Sequence, residues 1–247
     1  TFARKVLSGL PAPNLSSAAN NYSILQEFTN DTDKAGGKID LQMSPPVSIF
    51  GRFGWREVST FDQPPIPLPS GGGGNGTIYV RNKQLVLGST YVASDRSLLE
   101  IRLGFSATEG GKNPPALGTT SAEEEYGIAG LPTDPRVAGG LPTQLISGYA
   151  DLGRQATNPQ WQYPEVFNPK LNYTRTMGRH SLKAGLEFQH VRTEVQDVSP
   201  LYGRDEYAGR FTRPARSTST DAQYNLADFM FGLRSRYALT NFFIANL

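Results

Sequence analysis

The chain contains several segments in which apolar and polar residues alternate with a period of two. The clearest covers residues 99–108, where every odd position from Leu99 to Ala107 is apolar and the positions between are Glu, Arg, Gly, Ser and Thr. Successive side chains of a β-strand point to opposite faces, so this pattern predicts a strand with one apolar and one polar face. Its ten residues match the length that a tilted strand needs to cross a bilayer.

Other segments with the same alternation are 38–43, 49–58, 84–92, 167–176 and 181–192. The connections between the segments are of two kinds. Short ones, with turn residues, are 44–47, 93–97 and 177–180. Long ones, rich in Gly and Pro, are 61–76, 109–163 and 193–236. Hairpins with tight turns at one end and long loops at the other are typical of outer-membrane barrels. We therefore expect an all-β fold, an antiparallel transmembrane β-barrel section with short periplasmic turns and long extracellular loops.

This alternation assigns side chains to two faces. The residues predicted to face lipid are large and apolar or aromatic: Ile39, Leu41, Phe53, Trp55, Tyr91, Ile101, Leu103, Phe105, Tyr173, Leu186 and Phe188. The residues predicted to line a wet lumen or to contact a plug are Arg52, Arg56, Glu100, Arg102, Lys183 and Glu187. Outer-membrane lipid is accordingly the first expected partner.

Composition supports a β fold and excludes several function classes. Hydrophobic residues make up 38% of the chain and aromatic residues 11%, with 26 Gly and 18 Pro, so turns must be numerous. The 24 basic and 22 acidic residues leave no basic patch of the kind that binds nucleic acid, and no such partner is expected. The chain has no cysteine, which excludes disulfides and thiolate metal sites.

No apolar run approaches the length of a transmembrane helix, and no secretory signal opens the chain. Residues 1–7 predict one or two helical turns instead. The chain is then either a soluble cytoplasmic protein or an internal section of a longer precursor, and the strand pattern favours the second.

Candidate chemistry is sparse. Residues 71–76 contain a G-x-G-x-x-G pattern, but prolines precede it and a strand-like segment follows, so we interpret it as a loop and not as a dinucleotide site. His180 and His190 are ten residues apart, about 33 Å along a strand, which is too far for one metal. His180 is expected in a turn and His190 at the end of a strand.

Two acidic segments also have simple interpretations. Residues 30–33, with Asp40, lack the terminal Glu of a calcium loop and are interpreted as a polar turn. Residues 123–125 are expected to be a solvated acidic patch in a long loop. Residues 222–233 have helical spacing, with Asp221 as candidate N-cap and Gly232 near the end. We expect a short helix on the barrel rim or wall there, the alternative being part of a lid or partner surface. No catalytic residue, metal site or cofactor site is assigned, and no enzyme is predicted.

Several motifs resemble those of a known family. Residues 178–189, GRHSLKAGLEFQ, resemble the GRHSLKFGGEFQ hairpin of Oar-like TonB-dependent receptors, and residues 226–233, LADFMFGL, resemble their LADFLLGLP segment. Residues 10–14 and 20–22 resemble a PxPN…NNY stretch. Residues 38–40 with 50–53 resemble a RID…LFGRY hairpin, and residues 99–104 an NExRxG strand. The matches keep the family's order and span nearly the whole chain.

The resemblance implies a partial receptor barrel. The expected division is 1–33 as a loop leading into the strands, 34–193 as strand hairpins, 194–235 as a long loop with a short helix, and 236–247 as the start of the next strand. The implied function is binding and moving a bulky substrate across the outer membrane. The implied partners are a plug domain, the remaining barrel strands, and the TonB complex through a missing N-terminal region. Other copies of the chain are the partner if it acts alone.

The loop aromatics expected to contact a ligand are Tyr149, Trp161, Tyr163, Tyr202 and Tyr207, with girdle or loop packing as the alternative interpretation. The alternative for the whole chain is a surface-displayed or soluble all-β module, such as a lectin-like domain or a fibre subunit. Such a module would bury its apolar strand faces against each other instead of in lipid.

Overall fold

A computed structural model describes residues 1–240 of the chain. Seven strands form the main sheet: β1 (Thr29–Ser44), β2 (Val47–Asp62), β3 (Gly76–Ser94), β4 (Ser97–Asn113), β6 (Gln160–Met177), β7 (His180–Glu187) and β8 (His190–Gln196). The remaining elements are α1 (Phe2–Ser8), α2 (Ala122–Tyr126), β5 (Thr143–Ile146), β9 (Arg204–Tyr207), α3 (Ala222–Phe231) and β10 (Arg236–Ala238). The fold is therefore mostly β, with a large sheet and a smaller one.

The large sheet is an antiparallel meander in the order β1-β2-β3-β4-β6-β7, with β8 also paired to β6. β7 and β8 pair with successive parts of β6, as the pairs Lys170–Glu187 and Phe167–His190 show. Only residues 188 and 189 separate them, and the Phe188 N–H donates to the Pro169 carbonyl (3.0 Å). The two segments together act as one long strand with a local irregularity.

Three two-residue turns, 45–46, 95–96 and 178–179, join the strands at one end of the sheet. In the last of them Gly178 has φ of 59°, which a residue without Cβ adopts at little cost. The long connections all lie at the other end. The predicted contrast between short turns and long connections is thus present in the fold.

The first five predicted strands extend beyond their predicted bounds, because pairing with the neighbouring strand continues past the alternating segment. The segment predicted as one strand over 181–192 is instead divided between β7 and β8. The pairing of β1 with β2 runs from Ser44–Val47 to Thr29–Phe61. The polar turn predicted over residues 30–33 is therefore wrong: these residues lie in β1, where the hydrogen bonds to β2 override their low strand propensity. The expected boundary at residue 33 likewise falls inside a strand.

The sheet is not closed. β1 is at one edge and β7 with β8 at the other, and β1 is exposed along almost its whole length. Each edge therefore presents unpaired backbone N–H and C=O groups.

The hydrophobic core of the described residues lies outside the large sheet. Its buried members come from α1, the long connections and α3, and include Val6, Tyr126, Leu141, Tyr207 and Phe229. Phe229 is fully buried, with the rings of Phe2 and Tyr207 at 5.8 and 5.1 Å in edge-on geometry. We call this compact unit the cap; it comprises residues 2–10, 64–75, 114–159 and 197–238.

The small sheet, in the order β10-β9-β5, belongs to the cap. β10 pairs with β9, so residues 236–238 contribute to the cap and do not begin another strand of the large sheet. The rest of that expected strand, residues 241–247, lies outside the described residues. The helix predicted over 222–233 is confirmed as α3, ending at Gly232 with φ of 69°. It packs in the cap against α1, β5 and β9.

Candidate functional site

The large sheet has one apolar and one polar face. Directly paired residues of an antiparallel sheet point to the same side, so the register defines each face. Leu103 pairs with Leu87, which pairs with Gly51, and Gly51 pairs with Ile39. Two positions nearer the short turns, and on the same face, Ile101 pairs with Leu171, and Leu171 pairs with Leu186.

The sequence-predicted lipid-facing residues meet on this apolar face. Ten of the eleven lie there within strands, and Phe188 follows β7 directly. They remain solvent-exposed within the chain: Leu103 is 41% exposed, Ile39 69% and Leu186 76%. An apolar face of this extent is far larger than the scattered apolar residues of a soluble surface.

The apolar face is bounded at both ends by aromatic or charged side chains. Tyr91 and Tyr173 both pair with Leu99, near the short turns. Trp55 pairs with Lys83, which pairs with Ala107 near the cap. Positions 99 and 107 are about 26 Å apart along the strand. One row further on, Arg81 contacts Glu57 (2.8 Å) and Glu109 (3.7 Å). This ion-pair cluster ends the apolar band.

The opposite face carries the residues predicted to line a lumen. Glu100 and Arg102 lie 3.3 Å apart on β4, and Lys170 lies 2.8 Å from Glu187 across β6 and β7. These pairs are largely open to solvent and contribute little to stability. The polar face therefore carries charged side chains that are compatible with contact with water.

A broad concavity of about 1110 Å³ lies on this polar face, across β1 to β4. Its charged lining residues are all basic: Lys34, Lys38, Arg52, Arg56 and Arg102. Sequence reasoning had singled out the three arginines but missed the two lysines. The available signal was a shared pattern, a basic residue at each end and Gly in the middle, in residues 34–38 and 52–56.

The cap end of the sheet is held by a buried arginine that the sequence did not reveal. Arg154 is 6% exposed and donates to the carbonyls of Val137 (2.6 Å), Gly139 (3.1 Å) and Asn158 (3.3 Å). Its guanidinium also lies 4.5 Å from the ring centre of Tyr202. Burial lowers the pKa of Arg154 to about 10. Arg154 therefore ties together loop segments that are distant in sequence.

A second buried group joins β5 to β9. Gln144 donates to Asp205 (3.0 Å) and accepts from the Tyr207 hydroxyl (3.1 Å), and Arg234 pairs with Asp205 at 3.0 Å. Burial, with the charge of Asp205, raises the pKa of Tyr207. The side-chain polar atoms of Gln144, Asp205 and Tyr207 all have partners, so the group stabilises the small sheet.

The five aromatics predicted to lie in loops separate into three groups. The loop prediction is wrong for Trp161 and Tyr163, which lie in β6 because its pairing with β4 and β8 extends to these positions. Tyr202 and Tyr207 are each only 2% exposed, so they pack in the cap and offer no surface to a ligand in this structure. Trp161 is partly buried, and its indole N–H donates to Asn113 (3.3 Å). Tyr149 and Tyr163 are exposed. The structure thus leaves these two with free rings.

The remaining candidates contribute no chemistry. His180 was expected in a turn, but it is the first residue of β7 and pairs with Met177, because the turn comprises only residues 178–179. His190 pairs with Phe167 at the start of β8. Residues 71–74 pack in the cap without a following helix. The acidic residues 123–125 form helix α2, where Ser121 and Glu124 make a reciprocal capping box. Within residues 1–240 no cluster of His, Asp and Glu is able to hold a metal.

Among residues 1–240 no helix has the length and apolar character needed to span a membrane. The family model described as outer membrane beta barrel domain matches residues 1–245. Comparison with curated proteins finds no significant match. The family match places the chain in the bacterial outer membrane. The apolar band and the closely hydrogen-bonded strands are the features that this location requires.

Proposed function

The chain belongs to the family of outer membrane β-barrel domains, and we propose that it forms part of the wall of a TonB-dependent receptor. In this role the apolar face contacts lipid and the polar face lines a wet interior through which a bulky solute moves. The observation that carries the proposal is the separation of the two faces over six neighbouring strand segments, together with the family-like motifs at 178–189 and 226–233.

The open edges supply the physical reason for further strands. Backbone groups without partners are costly in hydrocarbon, so strands persist in lipid only as part of a closed barrel. We infer that β1 and the β7–β8 edge pair with further strands of the same protein, or with other copies of the chain. A plug domain in the interior and the TonB complex are the corresponding proposed partners.

The cap supports a role in solute contact. It covers the end of the sheet opposite the short turns, and we assign that end to the cell exterior because outer-membrane barrels carry their long loops there. Tyr149 is exposed in the cap and presents its ring for stacking on sugars or peptides. Tyr163 is exposed near this end, but it lies in β6 on the side of the apolar face. The proposal assigns no catalytic step to the chain.

Uptake in cells tests the transport role. Cells that produce the full protein, and cells from which it is deleted, are exposed to fluorescent oligosaccharides and peptides too large for general porins. The proposal predicts greater periplasmic accumulation with the protein present, abolished by a protonophore that removes the energy source. Equal accumulation in both strains would contradict transport, and uptake unaffected by the protonophore would contradict a TonB-dependent step.

Fractionation of the same cells distinguishes a membrane barrel from the alternative, a soluble or surface-displayed module. Recovery of the protein from outer membranes only with detergent, with a gel mobility that changes on heating, is expected for a barrel. Monodisperse protein without detergent would favour the module.

A further inference from the structure

Two pairs of basic side chains lie directly opposite one another on β1 and β2. Lys38 pairs with Arg52, and Lys34 pairs with Arg56. Like charges at directly opposed positions of a sheet are destabilising. Among the described residues Lys34, Arg52 and Arg56 have no ion-pair partner, whereas Lys38 contacts Asp40 at 2.5 Å. The arrangement thus leaves positive charge uncompensated.

On β1 and β2 the row between these pairs has no side chains, whereas Gln84 continues it on β3. Gly36 pairs with Gly54 there, and a Cβ at Gly54 would meet nothing within 4 Å. The two basic pairs are four residues apart along the strands, about 13 Å, with bare backbone between them. Flexible Lys and Arg side chains at both ends can converge over this gap.

The surrounding concavity has a mixed lining of apolar and polar residues, and its charged members are all of one sign. Among the described residues its lining includes Arg102, which is paired with Glu100 outside the lining, as a fifth basic residue, and no acidic residue. Asn82, Gln84 and Thr108 supply neutral polar groups on the neighbouring strands. At about 1110 Å³ the space is large enough for a solute of several groups.

We propose that this basic cradle, formed by Lys34, Lys38, Arg52 and Arg56 around the Gly36–Gly54 gap, binds a multivalent anion carrying phosphate or carboxylate groups. The guanidinium groups of Arg52 and Arg56 suit the bidentate geometry of either group. A bound anion relieves the repulsion within each pair, which accounts for like charges at these positions. The inference rests on the proposed function, because it requires the polar face to be wet and accessible.

Calorimetric titration of the full protein in detergent micelles tests the cradle independently of transport. The probes are inorganic tripolyphosphate, citrate and the neutral sugar maltotriose, at low ionic strength. We expect binding of one or both anions, weakened by added salt, and none of the sugar. The two anions distinguish a phosphate from a carboxylate ligand.

Two variants define the location. Arg52→Gln with Arg56→Gln should weaken binding about a hundredfold, about tenfold for each lost charge-assisted contact. Arg56→Glu should abolish binding while raising the midpoint of thermal unfolding, because it gives Lys34 an ion-pair partner. The matched control is Lys183→Gln, on the same face but outside the cradle, which should bind like the wild type.

Three results would overturn the proposal. The first is no binding of either anion to the wild type, the outcome expected if an acidic segment of the protein itself fills the cradle. The second is equal binding by the double variant, and the third is equal loss in Lys183→Gln. Failure of uptake with intact anion binding would instead count against the transport role alone.

Discussion

Leu103 of β4 lies directly opposite Leu87 of β3, in the middle of a face that no other described residue covers. Arg102, one position before Leu103, belongs to the opposite, polar face and pairs with Gly88. Adjacent residues of one strand thus occupy environments of opposite chemistry. This relationship is what a strand between lipid and water requires.

Replacing Leu103 with Arg should hinder membrane insertion. A charged side chain at the middle of the lipid face of a barrel costs about 2–4 kcal/mol. Folding into vesicles, measured by the heat-modifiable shift in gel mobility, should fall strongly for this variant. The control Arg102→Leu changes the polar face and should have the smaller effect. Equal effects would contradict the assignment of the two faces.

Replacing Gly88 with Ala should destabilise the sheet. The ring of Phe50 lies over Gly88, and a Cβ there would approach the ring carbons of Phe50 far inside contact distance. The displaced ring should lower the free energy of unfolding by about 1–3 kcal/mol, measured by urea denaturation in detergent. Gly51→Ala is the control, because its Cβ would meet Leu87 at an ordinary 3.5 Å. Similar losses of unfolding free energy in the two variants would show that the contact with Phe50 is not the cause of the destabilisation.

Replacing Arg154 with Met should loosen the cap. Three backbone carbonyls would lose their charged donor, at a cost of about 2–4 kcal/mol. Hydrogen exchange should accelerate across residues 137–158 while the large sheet keeps its protection. Arg136→Met removes only an exposed ion pair with Asp134 and should leave exchange nearly unchanged. Unchanged exchange in the Arg154 variant would contradict its structural role.

The stability that Tyr126 and Tyr207 contribute to the cap should be lost at alkaline pH. Burial, and next the charge of Glu125, raises the pKa of Tyr126 to about 12, and the pKa of Tyr207 is also raised. The unfolded phenols ionise near pH 10. The folded state therefore holds these protons more tightly. The stability that these two phenols give the folded state is fully present below about pH 10, and it is lost as the pH rises toward about 12.

Near-ultraviolet circular dichroism and tyrosine absorbance would follow this transition. The variant Tyr126→Phe should show a shallower loss of cap signal between about pH 10 and 12, since it has one phenol fewer to ionise. Tyr149→Phe removes an exposed phenol and is the control. The same loss of cap signal in the wild type and in Tyr126→Phe between about pH 10 and 12 would contradict the prediction.

The strands and their faces could be predicted from sequence because the information is local. A period of two over residues 99–108 is sufficient to orient each side chain, and the register of β4 with β3 and β6 agrees with it. The strand ends could not be predicted in the same way. Residues 30–33 resemble a turn in composition, yet pairing with β2 makes them part of β1.

The cap was not predictable from local pattern. Its contacts join residues far apart in sequence: the Ala122 N–H donates to the Tyr202 hydroxyl at 3.2 Å, and Phe2 packs on Phe229. Local propensity indicated only loops and short helices in these stretches. That long-range packing buries Tyr202 and Tyr207, so the sequence did not show that these rings are inaccessible to a ligand.

The basic cradle could be predicted only in part from the sequence. Each strand carries its own signal, Lys34 to Lys38 around Gly36 and Arg52 to Arg56 around Gly54. Their juxtaposition depends on the β1–β2 register, which the turn at 45–46 determines. Sequence alone therefore shows two basic segments but does not show that their charges oppose each other.

Spin-label accessibility along β4 tests the central claim most directly. The chain has no cysteine, so single cysteines at positions 100 to 105 can each be labelled in the full protein within bilayers. Labels at 101, 103 and 105 should be accessible to oxygen dissolved in lipid, and labels at 100, 102 and 104 to a water-soluble nickel reagent. Accessibility that does not alternate along the strand would contradict the account of a strand between lipid and a wet interior. So would nickel access at 101, 103 and 105 with oxygen access at 100, 102 and 104.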